Sequence, residues 1–277
     1  MTVAPRYEGP AVIDVSAVIA APAGAAIRQR DRLAATLSGL TVQEWSTPSR
    51  CEGWTVQDVA EHLAGVNRFW LVSLASGLGG EPTRLLASFD PVAVPAAMVE
   101  GARGAPPDAT LEKLAATNAE LCALLASLTG SDWHKTAEAP AGHLSVAAVT
   151  SHALWDAWIH ERDVLVPLGR RQSLEGDEIA VALPYVAALA SAFHVNAGVP
   201  RRGSLGVRAH DPDMAFTVEV DQEVTVRAGI GADASAVIEG DAVGLVEALS
   251  CRAPLPPVTD EHRWLADGLH RVFDPGR

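Results

Sequence analysis

Cysteine is scarce in this 277-residue chain. Cys51, Cys122 and Cys251 are too few and too scattered for a disulfide framework or a cysteine-rich zinc site. A chain of this length buries enough apolar surface to fold without such staples. Positive charge is also short: 21 Lys+Arg against 34 Asp+Glu gives a formal net charge of −13. That balance argues against nucleic acid or anionic lipid as a main partner, since both reward clustered positive charge. Only Lys113 and Lys135 are lysines, a bias that, with abundant alanine, points to a GC-rich genome. No stretch of about 18 uninterrupted apolar residues occurs, so no membrane span is expected. The first residues lack a basic region ahead of a clean apolar core, because Glu8, Pro10, Asp14 and Pro22 interrupt it. A reduced cytoplasm is the expected location. Also missing are a GxGxxG after a strand, a P-loop, GxSxG and HExxH, which sets aside dinucleotide, nucleotide, serine-hydrolase and zincin chemistry.

What is present is periodic. Ile27, Leu33, Leu37 and Leu40 predict an amphipathic helix over 24–40. Thr55 reads as an N-cap with Asp58 in the capping-box place, opening a helix to about Ser76 with Val59, Leu63, Val66 and Trp70 on its apolar face. A Pro/Gly-dotted connection with a short helix near Pro95–Glu100 follows, then helices over Thr110–Leu128, Ser145–Val166 and Glu175 to about His194. The intervening stretch around Pro140 and Gly142 reads as a loop. After Gly198 the period changes to two. Leu205–Ala209, Ala215–Val220, Glu223–Ala228 and Ala236–Gly240 read as strands. Helices over Asp241–Leu249 and Asp260–Val272 close the chain. Helices followed by antiparallel strands predict a helical bundle and an α+β unit.

Histidine is the residue to follow, because it titrates near neutrality and ligates transition metals. His62 falls on the inward face of its helix, three residues after Val59 and four before Val66. His152, Asp156 and His160 lie at successive i,i+4 steps, so their side chains project in one direction beside Val149 and Ile159. A polar stripe facing a bundle interior must be satisfied, and bundle interiors build metal sites from carboxylates and histidines on facing helices. Asp156 and His160 with His62 would form a His₂-carboxylate set, leaving a fourth position open. The alternatives are a hydrogen-bonded core histidine and a simple Asp156–His160 intrahelical pair. His152 is open between a ligand, a hydrogen-bonding neighbour and a solvated residue. The tryptophans Trp45, Trp54, Trp133, Trp155 and Trp158 read as core, with one or two as pocket walls. Cys51 reads as structural, since only Glu52 flanks it with a base.

The stretch WSTPSRCEGWTVQDVAEHLAG, Trp45 to Gly65, closely resembles the signature of the mycothiol-dependent maleylpyruvate isomerase family, a branch of the DinB-like metalloenzymes. The resemblance runs from about residue 25 to residue 272. It implies a two-domain α plus α/β fold: an N-terminal extension (1–23), a DinB-like four-helix bundle carrying the metal site (24–198), and a small α+β sterol-carrier-like domain (199–277). It also implies a divalent metal, usually zinc, held by His62, Asp156 and His160. Asp156 departs from the family's glutamate and is one methylene shorter, which requires the metal to sit nearer its helix or the helix to shift. The family's functional arginine falls on Arg252, with a helix-end cap as the alternative role.

The implied activity is a metal-dependent S-transferase that activates mycothiol as a metal-bound thiolate and adds it to an electrophilic small molecule, in detoxification or secondary-metabolite assembly. Its partners would be the small-molecule thiol and the electrophile. The composition suits an actinobacterial source, the home of mycothiol. Competing readings are a maleylpyruvate-type cis-trans isomerase, a DinB-like hydrolase using water, and a metal-free binding or regulatory bundle.

Overall fold

The computed structural model describes residues 4–273. The expected extension and C-terminal unit therefore include residues 1–3 and 274–277, which lie outside the described residues. A short strand β1 (Ile13–Asp14) precedes α1 (Ala23–Ser38), the one-turn α2 (Val42–Trp45), α3 (Val56–Leu78), α4 (Ala93–Ala102) and α5 (Pro107–Ser127). A hairpin, β2 (Thr136–Ala139) and β3 (Gly142–Ser145), leads into α6 (Val146–Leu165) and α7 (Gly176–Asn196). Then come β4 (Gly203–His210), β5 (Met214–Val220), β6 (Val224–Ala228), β7 (Ala236–Asp241), α8 (Ala242–Leu249) and α9 (Gly268–Phe273).

Local chemistry starts the helices that matter. Thr55 and Asp58 form a reciprocal capping box at α3, and Thr41 with Glu44 does the same at α2. The Ser145 side chain accepts from Ala148 N at the start of α6. Helices α1, α3, α5 and α6 pack on one another, α1 and α3 each touching both α5 and α6. Gly77 is a packing requirement: a Cβ there would strike the Thr136 carbonyl, so glycine lets β2 lie across α3.

The sheet runs β1-β6-β5-β4-β7. Its β6-β5-β4 core is antiparallel, while β7 joins β4 in parallel and β1 joins β6 in parallel through Ile13↔Val224 and Asp14↔Thr225. One apolar core unites the helices and the sheet through α7, which packs on α6, α8, β5 and β6. α7 is long and apolar enough to cross a membrane, with mean hydropathy 1.5 over an 18-residue window, but 89% of that window is buried inside this fold.

Three expectations change. The loop around Pro140 and Gly142 is the turn of the β2–β3 hairpin, with Ala137↔Leu144 in register; strands this short carry too few residues for period two to register. Residues 13–14, expected only as part of the N-terminal extension, are strand, paired with a partner distant in sequence. The single helix expected over Asp260–Val272 is instead a 3₁₀ turn (Arg263–Leu265) followed by α9. It breaks where Asp267 bonds His194 (3.2 Å) and where Gly268 packs so tightly on Ala190 that a Cβ would collide with its carbonyl.

Candidate metal centre

α6 is buried along nearly its whole length, polar residues included, because α1, α3, α7 and the hairpin surround it. Each buried polar group on it therefore needs a partner. Glu161 finds Arg32, Gln29 and Gln172. Asp163 accepts from Arg252 Nε (2.8 Å) and Nη2 (2.7 Å) and pairs with His160 Nδ1 at 3.0 Å.

Asp156 is different. Its Oδ1 lies 3.6 Å from His160 Nε2 and 3.9 Å from His62 Nε2, while Oδ2 has no hydrogen-bond partner. Both ring nitrogens of His62 are buried and unpartnered. The His62 and His160 ring centroids are 4.8 Å apart. His62, Asp156 and His160 each aim a donor atom at one point, all within 4.8 Å of one another. Tetrahedral donors with bonds of about 2.1 Å sit about 3.4 Å apart. The cluster is thus a slightly open version of a three-ligand site, and its orphaned atoms are those a cation would satisfy. The short Asp156 reaches because it stands one turn from His160 on the same helix.

A second cluster, Cys51, His160 and Asp163, is equally tight. Its acceptors are already engaged: Cys51 Sγ is 3.2 Å from Asp163 and 3.5 Å from Arg252 Nη2. These residues buttress the first cluster instead. The Asp163 contact to Nδ1 leaves Nε2 of His160 facing Asp156, the carboxylate–histidine arrangement that fixes ring orientation at metal sites.

Charge states follow the surroundings. Burial pulls the His62 pKa down, which favours the neutral, ligating imidazole. Burial would raise the Asp156 carboxyl, but the His62 and His160 rings hold it well below the usual range. His160 is pulled down by burial yet ends well above its ordinary value, because Cys51, Asp163 and Asp156 surround it. Asp163 stays far below the usual carboxylate range against its own burial, held by His160 and Arg252.

The cluster opens on a cavity of about 640 Å³. Trp54, Phe69, Trp70 and Trp155 form walls, residues 85–98 contribute a roof, and Arg252 and Phe273 close the C-terminal side. Glu138 pins the roof: its buried carboxylate accepts from Tyr7 Oη, Thr83 Oγ1, Leu85 N and Leu86 N. The structure brings together all three expected ligand residues and places Arg252 in the same cavity. Trp54 and Trp155 are walls, whereas Trp45 and Trp158 are core. Sequence reasoning missed Asp163 and the engagement of Cys51. The first had a signal, its i+3 spacing from His160; the second depends on a loop meeting α6 and had none.

Residues 27–165 match the family model described as the mycothiol maleylpyruvate isomerase N-terminal domain. The crystal structure of the mycothiol-dependent maleylpyruvate isomerase superposes with a TM-score of 0.58 at 20% identity, covering 85% of this chain and 94% of that one. A histidine-to-alanine mutant of that enzyme gives 0.58 at 19% identity with the same coverage; at these identities the likeness is one of fold. A Geobacillus kaustophilus (strain HTA426) protein named as a candidate metal-dependent hydrolase is 30% identical over 139 residues, spanning 48% of this chain and 74% of its own length.

Proposed function

The chain belongs to the mycothiol maleylpyruvate isomerase N-terminal domain family, and on that premise we propose that it is a metal-dependent S-transferase adding mycothiol to an electrophilic small molecule. We read residues 24–198 as a DinB-like four-helix bundle that holds the metal through His62, Asp156 and His160. Residues 199–277 read as a sterol-carrier-like unit that brings Arg252 to it. One observation supports this most: unpartnered buried atoms of His62 and Asp156 converge with His160 in the wall of a cavity large enough for two small molecules.

A divalent metal, zinc by preference, supplies thiol deprotonation at neutral pH, where a free thiol of pKa about 8.5 is only a few per cent thiolate. The chain's own residues do the rest. Ligation would require both imidazoles neutral, His160 giving up the proton that Cys51, Asp163 and Asp156 favour in the metal-free site. With the Asp156 carboxylate the set would then carry −1, and a dication would leave +1, enough to compensate one thiolate. Asp163 orients His160. Arg252 anchors the polar part of the thiol from the C-terminal side, its guanidinium already held in place by Asp163. Trp54, Trp70 and Trp155 exclude water from the sulfur and hold the acceptor against it.

Isomerisation would add the same thiol and then expel it; hydrolysis would use water instead. Incubation with an electrophile panel and mycothiol, glutathione or no thiol, read by mass spectrometry, separates these outcomes. The expected result is a mycothiol-retaining adduct formed at a rate that depends on bound metal. Thiol-independent product or an isomerised acceptor free of sulfur overturns the proposal.

A further inference from the structure

One imidazole in the cavity wall has no part in that scheme. His152 lies one turn before Asp156 on α6 and is only 6% exposed. Trp70, Trp155 and Tyr185 clamp its ring, with centroid separations of 5.0, 5.2 and 5.3 Å. Its Nδ1 is 2.7 Å from the Tyr185 hydroxyl. Its Nε2 has no hydrogen-bond partner among the described residues, and the residue lines the cavity.

The tautomer follows from Tyr185. That phenol is fully buried, and burial keeps it protonated. Among the described residues its hydroxyl bonds only His152 Nδ1, so the O–H donates there and Nδ1 accepts. A neutral imidazole that accepts at Nδ1 carries its proton on Nε2. Burial lowers the His152 pKa to about 4, so the ring is neutral at physiological pH and Nε2–H is a fixed donor beside the metal cluster.

We propose that His152 is a catalytic residue whose Nε2–H, set by Tyr185, donates to the carbonyl oxygen of an uncharged conjugated acceptor such as an enone. This rests on the thiol-addition reading above for the identity of the acceptor. The thiolate lone pair forms the S–C bond at the β-carbon, the C=C π pair moves into the Cα–C bond, and the carbonyl π pair moves onto oxygen. His152 meets that developing charge and keeps its own proton. The carbonyl then re-forms as the α-carbon takes a proton from water, replacing the one the thiol released. The rest of the wall fits an uncharged acceptor. Among the described lining residues the guanidinium is that of Arg252, which is committed to Asp163, and Phe69, Phe89, Met98 and Phe193 face the remaining space. With Arg252 held by Asp163 and, in the reading above, turned to the thiol, a dicarboxylate would find no further guanidinium or ammonium among the described lining residues.

The test pairs spectroscopy with kinetics on the zinc-loaded full chain. Two-bond ¹H–¹⁵N correlations should show His152 protonated at Nε2, and the Nε2 resonance should shift when benzylideneacetone is added. Tyr185→Phe, which conserves core volume, should release the tautomer into a mixture. His152→Phe should lower kcat with mycothiol and benzylideneacetone by about 10²–10³-fold with zinc content unchanged. His152→Gln, which retains an N–H donor, should restore kcat to within about tenfold of wild type on the same scale. A wild-type Nδ1-protonated ring, no shift with the enone, or wild-type kcat in His152→Phe overturns the inference. The tautomer and the shift are read without thiol, so they decide whether Nε2–H donates to a bound carbonyl even if the transferase reading fails.

Discussion

Asp163→Asn tests how the cluster is held. Asp163 is fully buried, its carboxylate taking both Arg252 contacts at 2.7 and 2.8 Å, the His160 ring at 3.0 Å and the Cys51 thiol at 3.2 Å. An amide of the same shape removes the charge and turns one acceptor atom into a donor that faces other donors. Breaking a fully buried ion pair costs about 3–5 kcal/mol. The Arg252 side chain keeps 23% exposure, and water recovers part of that, leaving about 2 kcal/mol for the metal-free protein on the same basis. In a chain of this size that lowers Tm by about 4–8 °C. The second effect is on zinc. Without the carboxylate the His160 ring is free to turn, and loss of such an orienting partner costs about 10–100-fold in metal affinity. Thermal melts of chelator-treated protein read the first effect, and competitive chelator titration of zinc reads the second. Zinc affinity within threefold of wild type would refute the idea that Asp163 sets the His160 ring.

Four further outcomes are expected. His62→Ala should lose metal retention and turnover together, measured by metal content after gentle purification and by adduct formation; wild-type activity would remove His62 from the site. Lowering pH should destabilise the metal-free fold through His152. Its folded pKa of about 4 lies below the unfolded value, so the unfolded chain binds the proton first. That contribution is complete above about pH 6.5 and declines by about 3 kcal/mol toward pH 4; urea titrations should show a shallower pH slope in His152→Phe. Glu138→Ala should strand four donors and cost about 3 kcal/mol or more, with faster proteolysis within residues 83–98. Gly77→Ala should cost about 1–3 kcal/mol by driving β2 off α3, seen as a lower urea midpoint without loss of zinc.

Much of this was legible in the residues. The Thr55–Asp58 box opened α3 where expected. The 152/156/160 stripe needed only a 3.6-residue period to define a face, and that face does turn inward. What sequence could not give is what crosses between elements. That the His62 ring meets Asp156 depends on how α3 crosses α6. The place of Arg252 depends on the Asp163 carboxylate, 89 positions away in the chain. The β2–β3 hairpin and β1 were invisible because two- to four-residue strands carry no pattern of their own and exist only through their partners. The 85–98 roof is tied at its start by Glu138, which takes the Leu85 and Leu86 N–H groups, and at its far end by α4 packing on α3.

The parallel pairing of Ile13 and Asp14 with Val224 and Thr225 has a bearing on assembly. The ribosome releases that ribbon early, yet its mate is made only after every long helix has emerged. That sheet margin therefore closes late, once the segment around residues 224–225 has joined residues 13–14. A fragment starting beyond Asp14 would leave β6 with an unpaired rim, the kind of surface that recruits neighbouring molecules into aggregates.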